Sequence, residues 1–519
     1  MGKIASHEWR WVGVLAAAVM VFTTIPYLVG VASQTDAWRF GGFLIGAEDG
    51  NSYLAKMGQG ARGAWLFTLP YTSEPQQGAL IYGLLLLLGK LAGPSPTTQM
   101  LVYHLARLAF GVALLLVSYR FLAEFLPRIS QRRLGLVLVA LGGGLGWVLV
   151  LAGRAWWLGS LPIEFYSPEA FTFLSLYGFP HLLAARCLFL LSLLAFWRGR
   201  AVWAGLALLG VSLIQPLYVL VAWVILSLHV IVLWLIHRPH PPAARRATWH
   251  VVLIGLLSSP IVLYTVGVMS VDPLLKQWNA QNILPTPHPA HYLLGYGLWL
   301  IPAALGGRVL WRRNRTLAWF VIGWAIAVPF LIYAPLTTQR RLIEGFQLPL
   351  VAVAVLGLTV IGRRWRKFIV LLVTSASLLT TVLLWAGGLN AARTPAEPAF
   401  VPADQRAVFV WLAEQAQTNQ VALAAFETGN RVPAYTPLTA YIGHGPESLF
   451  LAEKQPRVIA FYQSATSDAE RLRLIAEGHI AWVLFGPHER AYGDFDPATA
   501  AYLQWRFASG AYSVYEVAP

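Results

Sequence analysis

The sequence predicts an all-α polytopic membrane domain followed by a small extracytoplasmic α/β domain, and three observations carry that prediction. Charged residues make only 12% of the 519-residue chain and hydrophobic residues 57%, where a soluble chain would carry roughly a quarter charged. Apolar runs of about 20 residues, each long enough to cross a ~30 Å hydrocarbon core as a helix, recur between residues 11 and 389. At Thr394-Pro395-Ala396-Glu397-Pro398 the composition changes to a Pro-rich linker and then to mixed polar patterning. The domains are therefore expected at 1–393 and 394–519.

A net charge of +15 raises nucleic acid as a partner, but the basic residues fall in short clusters between apolar runs and form no stripe interleaved with aromatics. Nucleic acid is set aside in favour of membrane topology, because Lys and Arg are held on the cytoplasmic side during insertion. Lys3 and Arg10 precede the first run. Arg120, Arg128, Arg132 and Arg133 follow, then Arg198 and Arg200, then Arg238, Arg245 and Arg246, with further clusters in 308–315 and 363–367. Placing every cluster inside gives about eleven spans, at 11–31, 101–121, 134–152, 180–197, 201–214, 217–236, 249–270, 291–309, 316–334, 346–362 and 368–388. The run 11–31 lacks a small-residue cleavage site and is read as a retained span. The apolar segment 78–93 is short and would invert every later cluster if it crossed, so an interfacial or re-entrant placement is expected. Residues 201–214 are also short, which puts the Gln215-Pro216 turn within the outer half of the membrane.

This scheme makes a multi-pass plasma-membrane protein with its N-terminus cytoplasmic and its tail extracytoplasmic. The outer loops 32–100, 153–179, 271–290 and 335–345 then hold Asp36, Glu48, Asp49, Glu74, Glu164, Glu169, Asp272 and Glu344, so the polar chemistry is expected on the outer face. The single Cys187 sits in an apolar run, offers neither a disulfide nor a multi-cysteine metal site, and reads as packing. In the tail, 404–416, 468–476 and 497–508 read as helices and 421–426, 481–485 and 512–517 as strands. Gly443-His444-Gly445 is too short to be diagnostic, and the tail reads either as an acceptor-recognition cover or as a plain cap.

Glu48-Asp49-Gly50-Asn51-Ser52-Tyr53 places adjacent carboxylates about 17 residues beyond the first span. Such a carboxylate serves as a general base when desolvation raises its pKa, or holds a divalent cation through oxygen; the bland alternative is Asp49 capping a helix. Gln339-Arg340-Arg341 breaks the positive-inside pattern. Two guanidiniums there suit a lipid phosphate or pyrophosphate, against a salt bridge to Glu344 or attraction to head groups. His181, at the mouth of a span with Arg186 one turn deeper, and the pair His104 and Arg107 are candidates to line a cavity or to satisfy neighbouring helices. Tyr53 and Glu74 complete the candidate substrate-binding residues. Gly58-Gln59-Gly60-Ala61-Arg62-Gly63 fits a nucleotide-loop spacing but lacks the βαβ context, and is expected to be a turn. The segment 142–146 reads as glycine packing within a span, and His288-Pro289-Ala290-His291 as interfacial packing.

A first span followed by a long outer loop with an acidic pair, many short-looped spans, an outer Arg pair before a late span and a terminal extracytoplasmic domain together resemble the GT-C class of membrane glycosyltransferases. The similarity is to the bacterial lineages like dolichyl-phosphate-mannose and aminoarabinose transferases, and covers nearly the whole chain. It implies a polyprenyl-phosphate or polyprenyl-pyrophosphate sugar as donor, with a glycan, lipid or protein as acceptor among membrane lipids. It also implies Asp49 as the catalytic base with Glu48 as the alternative, and Arg340 and Arg341 at the donor phosphate. A divalent cation is a candidate cofactor. The Trp-Trp-Asp signature of oligosaccharyltransferases is missing, which argues against transfer to asparagine. A transporter or lipid flippase and a noncatalytic scaffold are the competing classes; neither accounts for the acidic loop and the Arg pair together.

Overall fold

The computed structural model describes residues 4–236 and 242–518. Lys3 and Arg238, assigned above to basic clusters, lie outside the described residues. Nine helices among the described residues are long and apolar enough to cross a membrane: Ser6–Ala32, Pro96–Phe125, Pro180–Trp197, Pro216–Ile236, Pro242–Val271, Ala290–Arg313, Arg315–Ile332, Gln339–Leu358 and Arg363–Arg393. Each coincides with one of the eleven expected spans.

The other two expected spans are shorter helices. Ala201–Ile214 stops at Gln215, and the next helix starts at Pro216, where the missing N–H costs nothing. The run 134–152 is not one helix but two, Ile129–Leu141 and Gly146–Leu151. Between them Gly143 donates to the Ser377 carbonyl at 2.7 Å and Leu145 to that of Leu294 at 3.1 Å, so the backbone is satisfied by neighbouring helices and not by its own turn. The segment 78–93 contains only the ten-residue helix Gly83–Ala92, about 15 Å long at ~1.5 Å per residue, which is too short to cross.

The chain forms two compact units. The first comprises Met1–Ile25, His104–Gly267 and Leu284–Gly387; the second comprises Pro26–Tyr103, Val268–Ile283 and Gly388–Pro519. In the second unit, strand β1 (Trp38–Phe40) pairs antiparallel with β2 (Phe400–Pro402). A five-stranded sheet contains β3 (Val421–Leu423), β4 (Thr439–Ala440), β5 (Ile480–Phe485), β6 (Leu503–Ser509) and β7 (Tyr512–Val517) in the order β4-β3-β5-β7-β6. β3 is parallel to β4 and β5, whereas β7 is antiparallel to both its neighbours.

Helices Ala403–Gln415 and Asp468–Glu477 match expectation, the latter with a Ser467 to Glu470 capping box. The helix expected at 497–508 is absent. Only the turn Pro497–Thr499 is helical, and Gly510, at φ 51, closes a tight hairpin that pairs Leu503–Ser509 with β7. Cross-strand pairing has overridden the local spacing. Two further helices that the sequence reading did not assign, Phe426–Tyr435 and Leu451–Phe461, flank the sheet strands in the chain. Leu423, Val458, Phe461, Tyr462, Val483 and Tyr515 are buried together in this core. A second cluster buries Phe67, Leu69, Leu86, Trp278 and Leu449, so three separate stretches of sequence share the unit's interior.

Candidate functional site

Helix Ala47–Ala61 carries the acidic pair. Its N-cap is Gly46, in the left-handed region at φ 58, and Glu48 and Asp49 lie in the first turn, where backbone N–H groups favour negative charge. Neither residue is therefore the cap that the alternative for Asp49 required. Of the expected turn at 58–63, only Arg62 and Gly63 are a turn; Gly58 and Gly60 lie in the last helical turn. A Cβ on Gly60 would stand 2.0 Å from the Leu86 carbonyl oxygen, so helix Gly83–Ala92 packs directly against it.

The loop after β4 meets the first turn of that helix. His444 Nε2 donates to Asp49 Oδ1 at 3.2 Å, and the Gly445 N–H donates to Glu48 Oε1 at 2.8 Å. The Asp49 side chain is 53% exposed and His444 only 4%. Behind them Lys56 Nζ is 2.6 Å from Glu447 Oε1, and Ser52 Oγ donates to the same oxygen at 3.0 Å. Tyr71 lies 5.3 Å from the His444 ring, and its hydroxyl donates to the Asn430 carbonyl at 2.9 Å. Burial, with Glu447, Glu48 and Asp49 nearby, pushes the Tyr71 phenol well above its usual range, so it stays a donor. Asn51 Nδ2 donates to Asn430 Oδ1 at 2.7 Å, fastening the helix to helix Phe426–Tyr435.

Of the other candidates in this unit, Tyr53 stacks on Tyr103 with ring centroids 6.0 Å apart. Glu74 pairs with Lys454 Nζ at 2.7 Å and accepts from Thr72. Burial alone would raise its carboxyl; the bonds from Lys454 and Thr72 outweigh that and hold it below the usual range.

In the other unit, Arg340 and Arg341 lie on the 3-10 turn Gln339–Ile343. The Arg340 guanidinium is 4.6 Å from the Tyr166 ring centroid, and Arg341 Nε is 3.5 Å from Glu169 Oε1. Glu344 pairs with Arg186: Nη2 reaches Oε2 at 2.8 Å, and Nε bonds Oε1. Arg186 also donates to Thr172 Oγ1 at 3.2 Å and to the Pro168 carbonyl at 2.8 Å, and it is enclosed in protein. His181 stands at the start of helix Pro180–Trp197, edge-on to Phe179 at 6.2 Å. Arg107 takes the second of its two alternatives, donating to His104, Thr23, Thr24 and the Leu176 carbonyl. His291 is buried with Nε2 2.8 Å from the Trp157 carbonyl oxygen, which is packing as expected. Among the described residues no group of three or more His, Cys, Asp or Glu could hold a metal ion, so the divalent-cation expectation finds no ligand set there.

No protein-family model and no curated protein matches the sequence. Solved structures do. The Archaeoglobus fulgidus oligosaccharyltransferase in its apo form superposes with a TM-score of 0.52 at 13% identity, over 96% of this chain and 74% of that one. The same enzyme tethered to an acceptor peptide with the NVT sequon gives 0.52 at 12%, over 90% and 68%. Apo ArnT from Cupriavidus metallidurans gives 0.52 at 14%, over 96% of this chain and 97% of that one. The chain has the GT-C fold.

Within that fold, sequence reasoning missed His444, Glu447, Lys56, Asn430 and the Arg186–Glu344 pair as members of charged networks. His444 had a visible signal, a polar residue between two glycines, but its partner Asp49 lies 395 positions away along the chain. Lys56 had one too, since a lysine between Tyr53-Leu54-Ala55 and Met57-Gly58 asks for a partner.

Proposed function

We propose that this protein is an inverting membrane glycosyltransferase that moves a sugar from a polyprenyl-phosphate or polyprenyl-pyrophosphate donor to an extracytoplasmic acceptor. The observation that carries the reading is Asp49: a half-exposed carboxylate in the first turn of a buried helix, held by an imidazole that is itself enclosed. A carboxylate so held is a general base for an acceptor hydroxyl. The acceptor O–H proton passes to Asp49 while the oxygen bonds to the anomeric carbon. The carbon–oxygen bond to phosphate breaks, its electron pair leaving on the phosphate, and single displacement inverts the centre. Arg340 and Arg341 are assigned to that phosphate, since guanidiniums stabilise its growing charge more than its ground state. The fold shared with the oligosaccharyltransferase and with ArnT supports the same class of chemistry. Tyr53, His181 and Glu74 are assigned to substrate contact, and Glu48 is the alternative base. The domain at 394–519 is assigned to the extracytoplasmic side, with the N-terminus cytoplasmic.

The test is mass spectrometry of lipid retained by the purified protein, followed by transfer assays with Asp49→Asn. Asn keeps size and polarity but accepts no proton near neutral pH, so turnover should fall roughly a hundredfold or more while donor binding persists. Full activity in Asp49→Asn would remove the residue from the mechanism. Arg340→Gln with Arg341→Gln should instead weaken donor binding.

A further inference from the structure

The loop from Gly443 to Ser448 is built to hold one side chain still. The Ser448 hydroxyl accepts from the backbone N–H groups of Gly443 and His444, at 3.0 and 3.1 Å. The Glu447 and Ser448 N–H groups return to the His444 carbonyl at 3.2 and 2.8 Å. Gln281 Nε2 donates to the Pro446 and Ser448 carbonyls at 3.0 and 2.9 Å, tying the loop to a third stretch of the chain. A Cβ on Gly443 would come within 2.3 Å of the Gly429 carbonyl carbon, so only glycine lets the loop lie this close to helix Phe426–Tyr435. The product of these constraints is the placement of the His444 ring, with Nε2 on Asp49 Oδ1 and Nδ1 3.8 Å from Glu447 Oε1. Glu447 is already neutralised by Lys56, so it leaves the imidazole directed at Asp49.

We infer that His444 is a positioning residue for the transfer reaction: its N–H clamps one oxygen of the Asp49 carboxylate and fixes the rotation of the group that takes the acceptor proton. The inference rests on the glycosyltransferase reading for its kinetic consequence, but not for the clamp itself. Holding a base within a narrow arc keeps its lone pair aligned with the reacting hydroxyl, and a misplacement near 1 Å costs on the order of a hundredfold. The loop thereby makes residues of the C-terminal region part of the reaction apparatus and not a cover over it.

Two variants separate clamping from packing. His444→Phe keeps a buried ring without a donor, and His444→Gln restores an amide N–H near the position of Nε2. The full-length protein in detergent is assayed with a synthetic polyprenyl-phosphate hexose, water serving as acceptor and released polyprenyl phosphate as readout. His444→Phe should lower kcat tenfold or more with KM for the donor unchanged, and His444→Gln should recover most of it. In parallel, a water-soluble carbodiimide with a glycine ester labels Asp49, quantified by peptide mass spectrometry. Labelling should rise several-fold in His444→Phe and stay near the wild-type level in His444→Gln. Unchanged Asp49 labelling in His444→Phe overturns the clamp whatever the activity shows. Raised labelling with wild-type turnover overturns its role in positioning. Raised labelling in a protein whose wild type releases no polyprenyl phosphate upholds the clamp and overturns the glycosyltransferase reading alone.

Discussion

Each compact unit buries an ion pair, and the two pairs are used differently. Arg186 and Glu344 are both enclosed, and the guanidinium's further bonds go to Thr172 and to backbone carbonyls. Lys56 and Glu447 are equally enclosed, but Glu447 stands beside His444, which bonds the half-exposed Asp49. The first network ends in protein; the second ends in solvent. A buried charge is costly wherever it sits, so the informative feature is where its hydrogen bonds lead.

The sharpest break of this comparison is Arg186→Met. It strands Glu344 without its cation and should cost about 3–5 kcal/mol, read as a lowered thermal midpoint in detergent, while Asp49 labelling stays unchanged. Lys56→Met should cost nearer ~3 kcal/mol, because Ser52 still donates to Glu447. Unlike Arg186→Met it should also lower turnover, by releasing Glu447 to compete for His444. Equal effects on labelling from the two substitutions would erase the distinction.

Glu164, in the stretch 153–179 of the first unit, gives an effect of opposite sign. Burial pushes its carboxyl up to about 7, although it accepts the Gly146 N–H at 2.5 Å. The folded chain therefore holds a proton there that the unfolded chain gives up near pH 4.5, and stability falls as pH rises from about 4.5 to 7. Glu164→Gln keeps the acceptor and removes the charge. It should stabilise by up to roughly 3 kcal/mol above pH 7 and do little near pH 4.5, which thermal melts at both ends would resolve.

The smallest effect belongs to the rim of the second unit. The hydrogen bond to Glu397 raises the His488 imidazole above its usual pKa. Burial opposes the ionised form of Glu397, yet His488 and Arg431 hold its carboxyl down to about 2. The His488 contribution is complete below about pH 6.5 and is lost as pH rises through its raised pKa. His488→Asn should cost no more than about 1 kcal/mol at pH 6 and nothing at pH 9.

Composition and period alone determined the membrane class and the nine long helices, because spanning a bilayer demands local apolar length. The acidic pair and the Arg pair were visible for a similar reason, since charge in the wrong place stands out against an apolar sequence. The break at 142–145, the strand at Leu503–Ser509 and the partners of Asp49 and Glu344 were decided only by tertiary structure. The strand is decided by the hairpin that follows it, whereas in the other cases the deciding hydrogen bond joins residues distant in the chain: Ser377 with Gly143, His444 with Asp49, Arg186 with Glu344. Local sequence specifies which polar groups must be satisfied, and the fold alone specifies by whom.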